Sequence, residues 1–340
     1  MRLAVEDLAE FERALEAADT TVAVRHVEHL LDAGAGVLPV LVEIIAAAQR
    51  RVGERWLRGE WSVAREHAAT GVSVAAAGVV ARHARRVPVS RGRVVLACAE
   101  REWHLLPALL VAYGLRADGW EVVFLGASTP QARFVSHLHD IGPDVTAVSC
   151  SVLRALPSTR EFIEASTECG IPVLAGGAAF GRDGVRAAAL GATGWAGDVR
   201  DVVDVVARLP TVVPPAPALP VRPLAEQRAL DVHHSWLVAE VLRSWQPEAA
   251  AAAREHAAVW REGVEQVLFA LQATLVTGDA RILSEAARWV DGLLGARGVR
   301  GTPIRDLADA LARNVREFPL AADLVHEYWP ASPYSAASVG

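Results

Sequence analysis

The spacing of apolar residues changes near Gly92, and no single layer of secondary structure accommodates both periods. Before that point, apolar residues in 3–15, 22–31, 37–56 and 63–80 recur every three or four positions, as helices with one buried face require. Breaks fall at 19–21, 33–36 and 59–62, where Ser62 is placed to cap the fourth helix. Four helices on short turns predict an antiparallel bundle. After Gly92, short β-rich runs at 94–99, 121–125, 145–152 and 171–175, with a weaker fifth at 193–196, alternate with helical stretches. The helical stretches are 108–117, 131–141, 159–169 and 183–190. Pro172 is acceptable where its run begins. This alternation predicts a parallel sheet covered on both faces, whose ligands sit at the carboxyl ends of the strands.

Six of the eighteen prolines fall in 208–223, which predicts an extended spacer. Beyond it the pattern is helical to about residue 329, with breaks near 246–247, 277–279 and 297–303. Asp279 after Gly278 is the expected N-cap, and the last ten residues are expected to fray. The resulting fold class is multidomain. It comprises an all-α four-helix bundle (1–88), an α/β Rossmann-like (flavodoxin-like) parallel sheet (89–209), a proline-rich linker (210–223) and a C-terminal all-α domain (224–340).

Composition narrows function. The net charge of −6 argues against nucleic acid as partner, since duplex binders present a basic face. All 34 basic residues are arginine, so chemistry that needs a lysine Schiff base or a P-loop lysine is excluded. Cys98, Cys150 and Cys169 have no metal-ligand spacing and read as buried apolar residues of a reducing compartment. The amphipathic, acidic N-terminus is not a secretory signal, and no apolar run is long enough to span a bilayer. A cytoplasmic protein without membrane contacts is expected.

Chemistry concentrates in the loops that follow the strands. The first strand runs into Glu102-Trp103-His104-Leu105-Leu106-Pro107. A carboxylate two residues before an imidazole can orient the ring and leave its second nitrogen for a metal; the plainer alternative is a surface Glu–His pair. The third strand ends near Ser151-Val152-Leu153 and the fourth near Gly176-Gly177, a pair that permits close approach of a ligand.

Taken in order, these three segments resemble the D-x-H-x-x-G … S-x-L … G-G pattern of the cobalamin-binding domain of B12-dependent proteins. The resemblance implies that His104 is the lower axial ligand of cobalt. It also implies that the displaced benzimidazole tail runs into the sheet past Ser151 and Leu153 and over Gly176 and Gly177. Glu102 stands where the pattern has Asp, and Pro107 where it has Gly. In the bundle, Trp56, nine residues, then Glu66-His67 resembles the W-x9-E-H motif of the B12 photoreceptor family. That likeness implies a cap over the upper face of adenosylcobalamin, with Trp56, Glu66 and His67 near the adenosyl group. Where the light-gated repressors of that family have a histidine after the tryptophan, this chain has Leu57, leaving His67 as the candidate ligand after light. Those repressors carry a winged-helix DNA-binding domain ahead of the bundle, whereas this sequence begins at the bundle, so a DNA-binding output is not expected.

Half of the ten tryptophans lie in 224–340. The stretches 275–279, 289–291, 297–299 and 304–307 resemble the globin-like, non-haem sensor domains of stress-signalling proteins. Bundle, cobalamin domain and globin-like domain together resemble the photocobilins, which bind B12 and biliverdin. The resemblance implies a bilin pocket, for which His233, His234, Trp236, Arg254 and His256 are the candidates; the alternative is that the tryptophans are core. No cysteine follows Cys169, so a bilin in this domain would be held without a local thioether. The expected function is a non-catalytic light sensor that passes a change in docking or oligomeric state, a homodimer included, to a signalling protein or separately encoded enzyme. The rival is a corrinoid methyl carrier of a methyltransferase system.

Overall fold

The computed structural model describes residues 3–245, 257–299 and 303–329. The chain divides into two compact units, residues 1–56 with 60–217, and residues 57–59 with 218–340.

The first unit opens with α1 (Val5–Glu16) and α2 (Thr20–Asp32), the latter capped by the Asp19 carboxylate, which accepts from Val22 N at 2.9 Å. Next, α3 (Val37–Pro39) runs through a π-helical stretch, Val40–Ala46, into α4 (Ala47–Leu57). Then α5 (Val63–Ala84) starts at Ser62, whose hydroxyl accepts from Arg65 N at 3.3 Å. Most of each expected apolar stripe turns inward: Phe11, Val27, Leu30, Leu41, Ile44, Ile45, Val72 and Val80 are buried together, while Val5, Val22 and Val63 are exposed. Ala69, Ala76 and Ala77 keep the buried face of α5 thin, so its neighbours approach closely. Leu106 and Leu110 complete the same core from α6 (Leu105–Ala117), while Ala108, Ala112 and Leu115 of that helix face the sheet. A helix apolar on both sides therefore joins bundle and sheet into one unit. Truncating Leu110 to alanine would cost about 2–5 kcal/mol.

The sheet has five parallel strands in the order β2-β1-β3-β4-β5. They are β1 (Arg93–Cys98), β2 (Glu121–Phe124), β3 (Val145–Ser149), β4 (Val173–Gly176) and β5 (Gly194–Ala196). The covering helices besides α6 are α7 (Gln131–Ile141), α8 (Leu156–Glu168), α9 (Val185–Ala189) and α10 (Val199–Ala207). The order reverses between β1 and β3, and the crevice at their carboxyl ends is where such sheets bind ligands.

Several details differ from expectation, each for a local reason. β3 stops at Ser149 instead of residue 152 because Ser151 N and Val152 N turn away to the Glu102 carboxylate. β4 starts at Val173, since Pro172 has no N–H for the ladder and contributes only its carbonyl, which accepts from Thr146 N at 3.0 Å. Helix α10, to which sequence analysis assigned no element, is rich in β-branched valine but is capped by Asp198, which accepts from Arg200 N at 3.0 Å. Cys98 and Cys150 are buried as expected, whereas Cys169 at the end of α8 is exposed. Residues 216–217 of the proline-rich segment are tied to α8 rather than free. Buried Arg160 donates to Pro217 O at 2.6 Å and Leu190 O at 2.8 Å, and Thr167 Oγ1 accepts from Ala216 N at 3.0 Å.

The second unit is helical throughout its described residues. It comprises α11 (Val221–Val232), α12 (His234–Ser244), α13 (Ala257–Thr277), α14 (Arg281–Gly295), α15 (Pro303–Asn314) and α16 (Pro319–Tyr328). Trp245, Trp260 and Trp329 are core. Trp245 and Trp260 meet edge to face at 4.6 Å, and Trp245 Nε1 donates to Pro303 O at 3.1 Å. Asp279 lies one residue before the N-cap, which is Ala280. Its carboxylate still accepts from Arg281 N at 3.2 Å and pairs with the Arg281 guanidinium at 2.7 Å. Among the described residues no helix is long and apolar enough to cross a membrane.

Candidate functional site

The loop after β1 is held in an unusual shape. Arg101 adopts φ +70° and Ser128 φ +43°, positions an L residue visits at a cost. Cross-ties compensate: Arg101 N donates to Ser128 Oγ at 3.1 Å, Ser128 N to Glu102 O at 2.7 Å and Thr129 N to Cys98 O at 3.2 Å. Pro107 follows in the first turn of α6, where a missing N–H costs nothing.

The Glu102 side chain is fully buried, and both of its oxygens are used. Oε1 accepts from His104 N at 2.8 Å and from the ring at Nδ1, 2.7 Å away. Oε2 accepts from Ser151 N and from Val152 N, the latter at 3.1 Å. Burial alone would raise the Glu102 carboxyl, but the hydrogen bonds from His104 and Ser151 and the charge of the ring reverse that, and its pKa is lowered. The His104 pKa is raised, chiefly by its hydrogen bond to Glu102, against burial and the Arg154 charge. An ionised carboxylate only accepts, so Nδ1 carries a proton, and once the ring is neutral it presents a lone pair at Nε2. The His104 side chain is 57% exposed, so the ring is reachable by a ligand.

Beside it, a cavity of about 340 Å³ enters the sheet from the carboxyl ends of the strands. Leu96, Ala147, Val148 and Leu174 form its apolar depth; Ser151, Gly176 and Gly177 line its strand side, and Gln49 and Arg50 of α4 its bundle side. Gly177 has φ +110°, and a Cβ there would lie 2.3 Å from Cys150 O, so only glycine lets these two loops touch. Leu153, half-buried at the start of a 3₁₀ turn, is not among the residues lining the cavity, and neither is half-buried Trp56.

In the bundle, Glu66 accepts from His67 Nδ1 and from Thr70 Oγ1, the latter at 2.8 Å, and Thr70 accepts from Gln49 Nε2 at 2.6 Å. The negative charge of Glu66 contributes, as the least of the causes, to raising the His104 pKa. The structure thus brings together Glu102, His104 and Ser151 directly, and sets Ser151, Gly176 and Gly177 around one cavity, whose lining includes neither His104 nor the Glu66–His67 pair. Sequence reasoning missed Gln49, Thr70 and Arg154. Thr70 stands four residues after Glu66, one helical turn on, and that spacing was the available signal.

In the second unit, His233 Nδ1 is 2.8 Å from Ala229 O and its ring meets Phe318 edge-on, while His234 stacks on Phe269 at 4.3 Å. Trp236 is 53% exposed. These three face different neighbours. Arg254 and His256 lie outside the described residues.

Residues 92–207 match the family model of the B12 binding domain, and residues 8–79 match a second model with the same description. The chain carries cobalamin-binding domains. It is 32% identical over 160 residues to the HTH-type transcriptional repressor CarH of Myxococcus xanthus, covering 45% of this chain and 52% of that protein. It is 29% identical over 151 residues to methionine synthase of Mycobacterium tuberculosis, covering 43% of this chain and 13% of that protein. The chain therefore spans about half of the repressor and a small part of the synthase. The monomethylamine corrinoid protein of Methanosarcina barkeri shares the fold, with TM-score 0.53 and 17% identity over 59% of this chain and 97% of that one.

The residues present fit a corrinoid. A neutral imidazole with an oriented free nitrogen suits cobalt, and an apolar cavity beside it suits a buried aromatic tail.

Proposed function

We propose that the protein is a light sensor that binds adenosylcobalamin between bundle and sheet, with His104 as lower axial ligand of cobalt. The observation that carries this reading is the buried Glu102 carboxylate that orients the exposed His104 ring at the carboxyl end of β1. Bound adenosylcobalamin would supply a light-labile cobalt–carbon bond. The chain's own residues then have separable tasks. Glu102 fixes the ring of His104 and keeps its proton on Nδ1. Ser151, Gly176 and Gly177 line the space for a tail, whereas Leu153, which the sequence pattern also named, stands outside that lining. Trp56 offers an apolar wall above, and the Glu66–His67 pair offers polar contacts to a ribose or, through His67, a replacement ligand once the upper group has left. Support for light as the input comes from the W-x9-E-H spacing and from the match to the repressors CarH and CarA of Myxococcus xanthus.

The second unit is proposed as globin-like and as the site of a non-covalent biliverdin, making the chain a photocobilin. Of its candidates, His234 and Trp236 on α12 offer a ring and an exposed indole to a flat ligand, while His233, Arg254 and His256 would meet its carboxylates. Output would be a change in docking to a signalling protein or an enzyme, or in self-association, without catalysis by the chain itself.

The test is to load the purified protein with adenosylcobalamin and biliverdin and record spectra in darkness and after green and red light. A histidine-ligated cobalamin spectrum that changes irreversibly or reversibly with light supports the reading, and a light-stable spectrum removes it. Deleting 224–340 should keep the cobalamin bands and remove the bilin band. The bundle-plus-sheet fold is also that of a corrinoid methyl-carrier protein, the second reading; light-independent methyl transfer to a thiol in the presence of partner methyltransferases would favour it.

A further inference from the structure

Three bundle residues line the cavity, Ala46, Gln49 and Arg50, and their spacing puts them on one face of the helix. Of the residues lining it, Arg50 is the one cation and Asp198 the one carboxylate. Asp198 is engaged at the start of α10, where its Oδ1 accepts from Arg200 N at 3.0 Å. Arg50 differs from the arginines beside it. Arg51 donates to Glu12 at 2.7 Å and Arg55 pairs with Glu16, both toward α1. Arg50 stands one position before Arg51, about 100° round the helix. It is exposed, and among the described residues its guanidinium has no hydrogen bond or ion pair. A residue that both lines the cavity and meets solvent stands at the mouth, with five N–H donors in a planar fork free to turn to a ligand. The depth of the cavity is apolar, formed by Leu96, Ala147 and Leu174, and would not hold an anion. It suits the aromatic base of a cobalamin tail. In cobalamin a ribose and a phosphodiester connect that base to the corrin, and the phosphodiester is the one acidic group of the tail. With the base in the apolar depth, the phosphodiester lies toward the mouth, where a lone guanidinium matches it in charge and in bidentate geometry.

We propose that Arg50 is a specificity residue for the nucleotide tail of cobalamin, its guanidinium donating to the phosphodiester oxygens at the cavity mouth. The inference rests on the cobalamin reading and deepens it. The bundle then reads the tail as well as covering the corrin, and the chain selects complete cobalamins over corrinoids that lack the tail. Arg50 is held in place by its helix and not by a partner, so it needs no existing ion pair to break before it meets the phosphate.

The experiment titrates the full chain in darkness with adenosylcobalamin and with adenosylcobinamide, which keeps the corrin and adenosyl group but lacks the ribose, phosphodiester and base. Kd is read from the absorption spectrum at low and high KCl. Arg50→Leu is expected to weaken adenosylcobalamin about three- to ten-fold and to leave adenosylcobinamide unweakened. The affinity of the parent for adenosylcobalamin should fall as KCl rises, and Arg50→Leu should lose most of that dependence. Arg50→Lys keeps the charge without the planar fork and should recover part of both. Equal affinity of parent and Arg50→Leu for adenosylcobalamin overturns the inference. A loss shared equally by the two corrinoids overturns it by placing the contact on the corrin, and an unchanged salt dependence does so by showing that the contact is not ionic. Each of these leaves the cobalamin reading intact, whereas a parent that binds neither corrinoid overturns both. Should Arg50→Leu lose its melting transition, Arg50→Gln, a polar helix former without the charge, carries the same comparison with the same deciding outcomes.

Discussion

Glu102 Oε1 lies 2.7 Å from His104 Nδ1, and the other oxygen of the same carboxylate holds Ser151 N and Val152 N. One buried side chain therefore sets both the His104 ring and the Ser151 loop that lines the cavity. Glutamine at this position keeps an acceptor for His104 but turns an NH2 group toward two backbone N–H donors. Glu102→Gln is expected to destabilise the ligand-free protein by about 1–3 kcal/mol, through unsatisfied buried donors. It should also weaken histidine-ligated cobalamin about 10- to 100-fold, as loss of an orienting partner does for metal-bound histidine. Thermal melts and a cobalamin titration check both, and an unchanged affinity would detach Glu102 from the ligand's orientation.

The same contact has a pH signature in the ligand-free protein. The raised pKa of His104 means that its protonated form is favoured on folding. That contribution is complete below the unfolded imidazole value, about 6.5, and is lost as pH rises through the higher folded value. The lowered pKa of Glu102 acts in the other sense: its contribution is present above the ordinary carboxylate range and is lost as pH falls through the depressed folded value. Stability from this pair should therefore peak in mild acid and decline on the alkaline side. Melting temperature measured against pH in the parent and in His104→Ala should show the decline flattened in the variant; equal slopes would assign it to other groups.

Much of this site is legible in the sequence because it hangs on local grammar. The period change at Gly92, the strand-then-loop placement of Glu102, His104 and Ser151, and the Gly176-Gly177 pair all follow from periodicity and turn chemistry. What escaped depends on three-dimensional meeting. Gln49 and Thr70 are unremarkable helix residues until α4 and α5 bring their side chains to 2.6 Å. The early end of β3 was hidden because a carboxylate 49 residues upstream takes the Ser151 N–H that a longer strand would need. Helix α10 escaped because valine favours strands, and the burial of Val202 and Val206 under a helix overrides that preference.

Glycine substitutions separate requirement from tolerance. At Gly177 a methyl group meets the Cys150 backbone at 2.3 Å, and φ is +110°. Gly177→Ala combines a backbone clash with a conformation that costs about 1–3 kcal/mol, and the neighbouring chain cannot give way because Cys150 N is bonded to Gly176 O at 2.9 Å. Gly53 sits exposed inside α4 with nothing within 4 Å of a Cβ, so Gly53→Ala should stabilise by about 0.5–1 kcal/mol through helix propensity. Urea unfolding of the two variants should move the midpoint in opposite directions, and a neutral Gly177→Ala would show that the β3 and β4 loops are not locked together.

The three cysteines differ in a way that thiol labelling can read. Burial, aided by the Glu102 charge, pushes the Cys98 thiol up to about 12 and raises that of fully enclosed Cys150 further, so neither forms a thiolate near neutrality. Cys169 is exposed at the end of α8. An alkylating reagent at pH 8 should add once to the native protein, on Cys169, and three times in denaturant, with Cys169→Ser removing the native adduct. Cys98 ends β1 with its sulfur 4.0 Å from His104 O, so its labelling would require the β1–α6 loop to open. A second native adduct at Cys98, suppressed by added cobalamin, would mean that the loop carrying His104 is folded around the ligand and not held by Glu102 beforehand. A single adduct with and without cobalamin is the outcome that preorganisation by Glu102 requires.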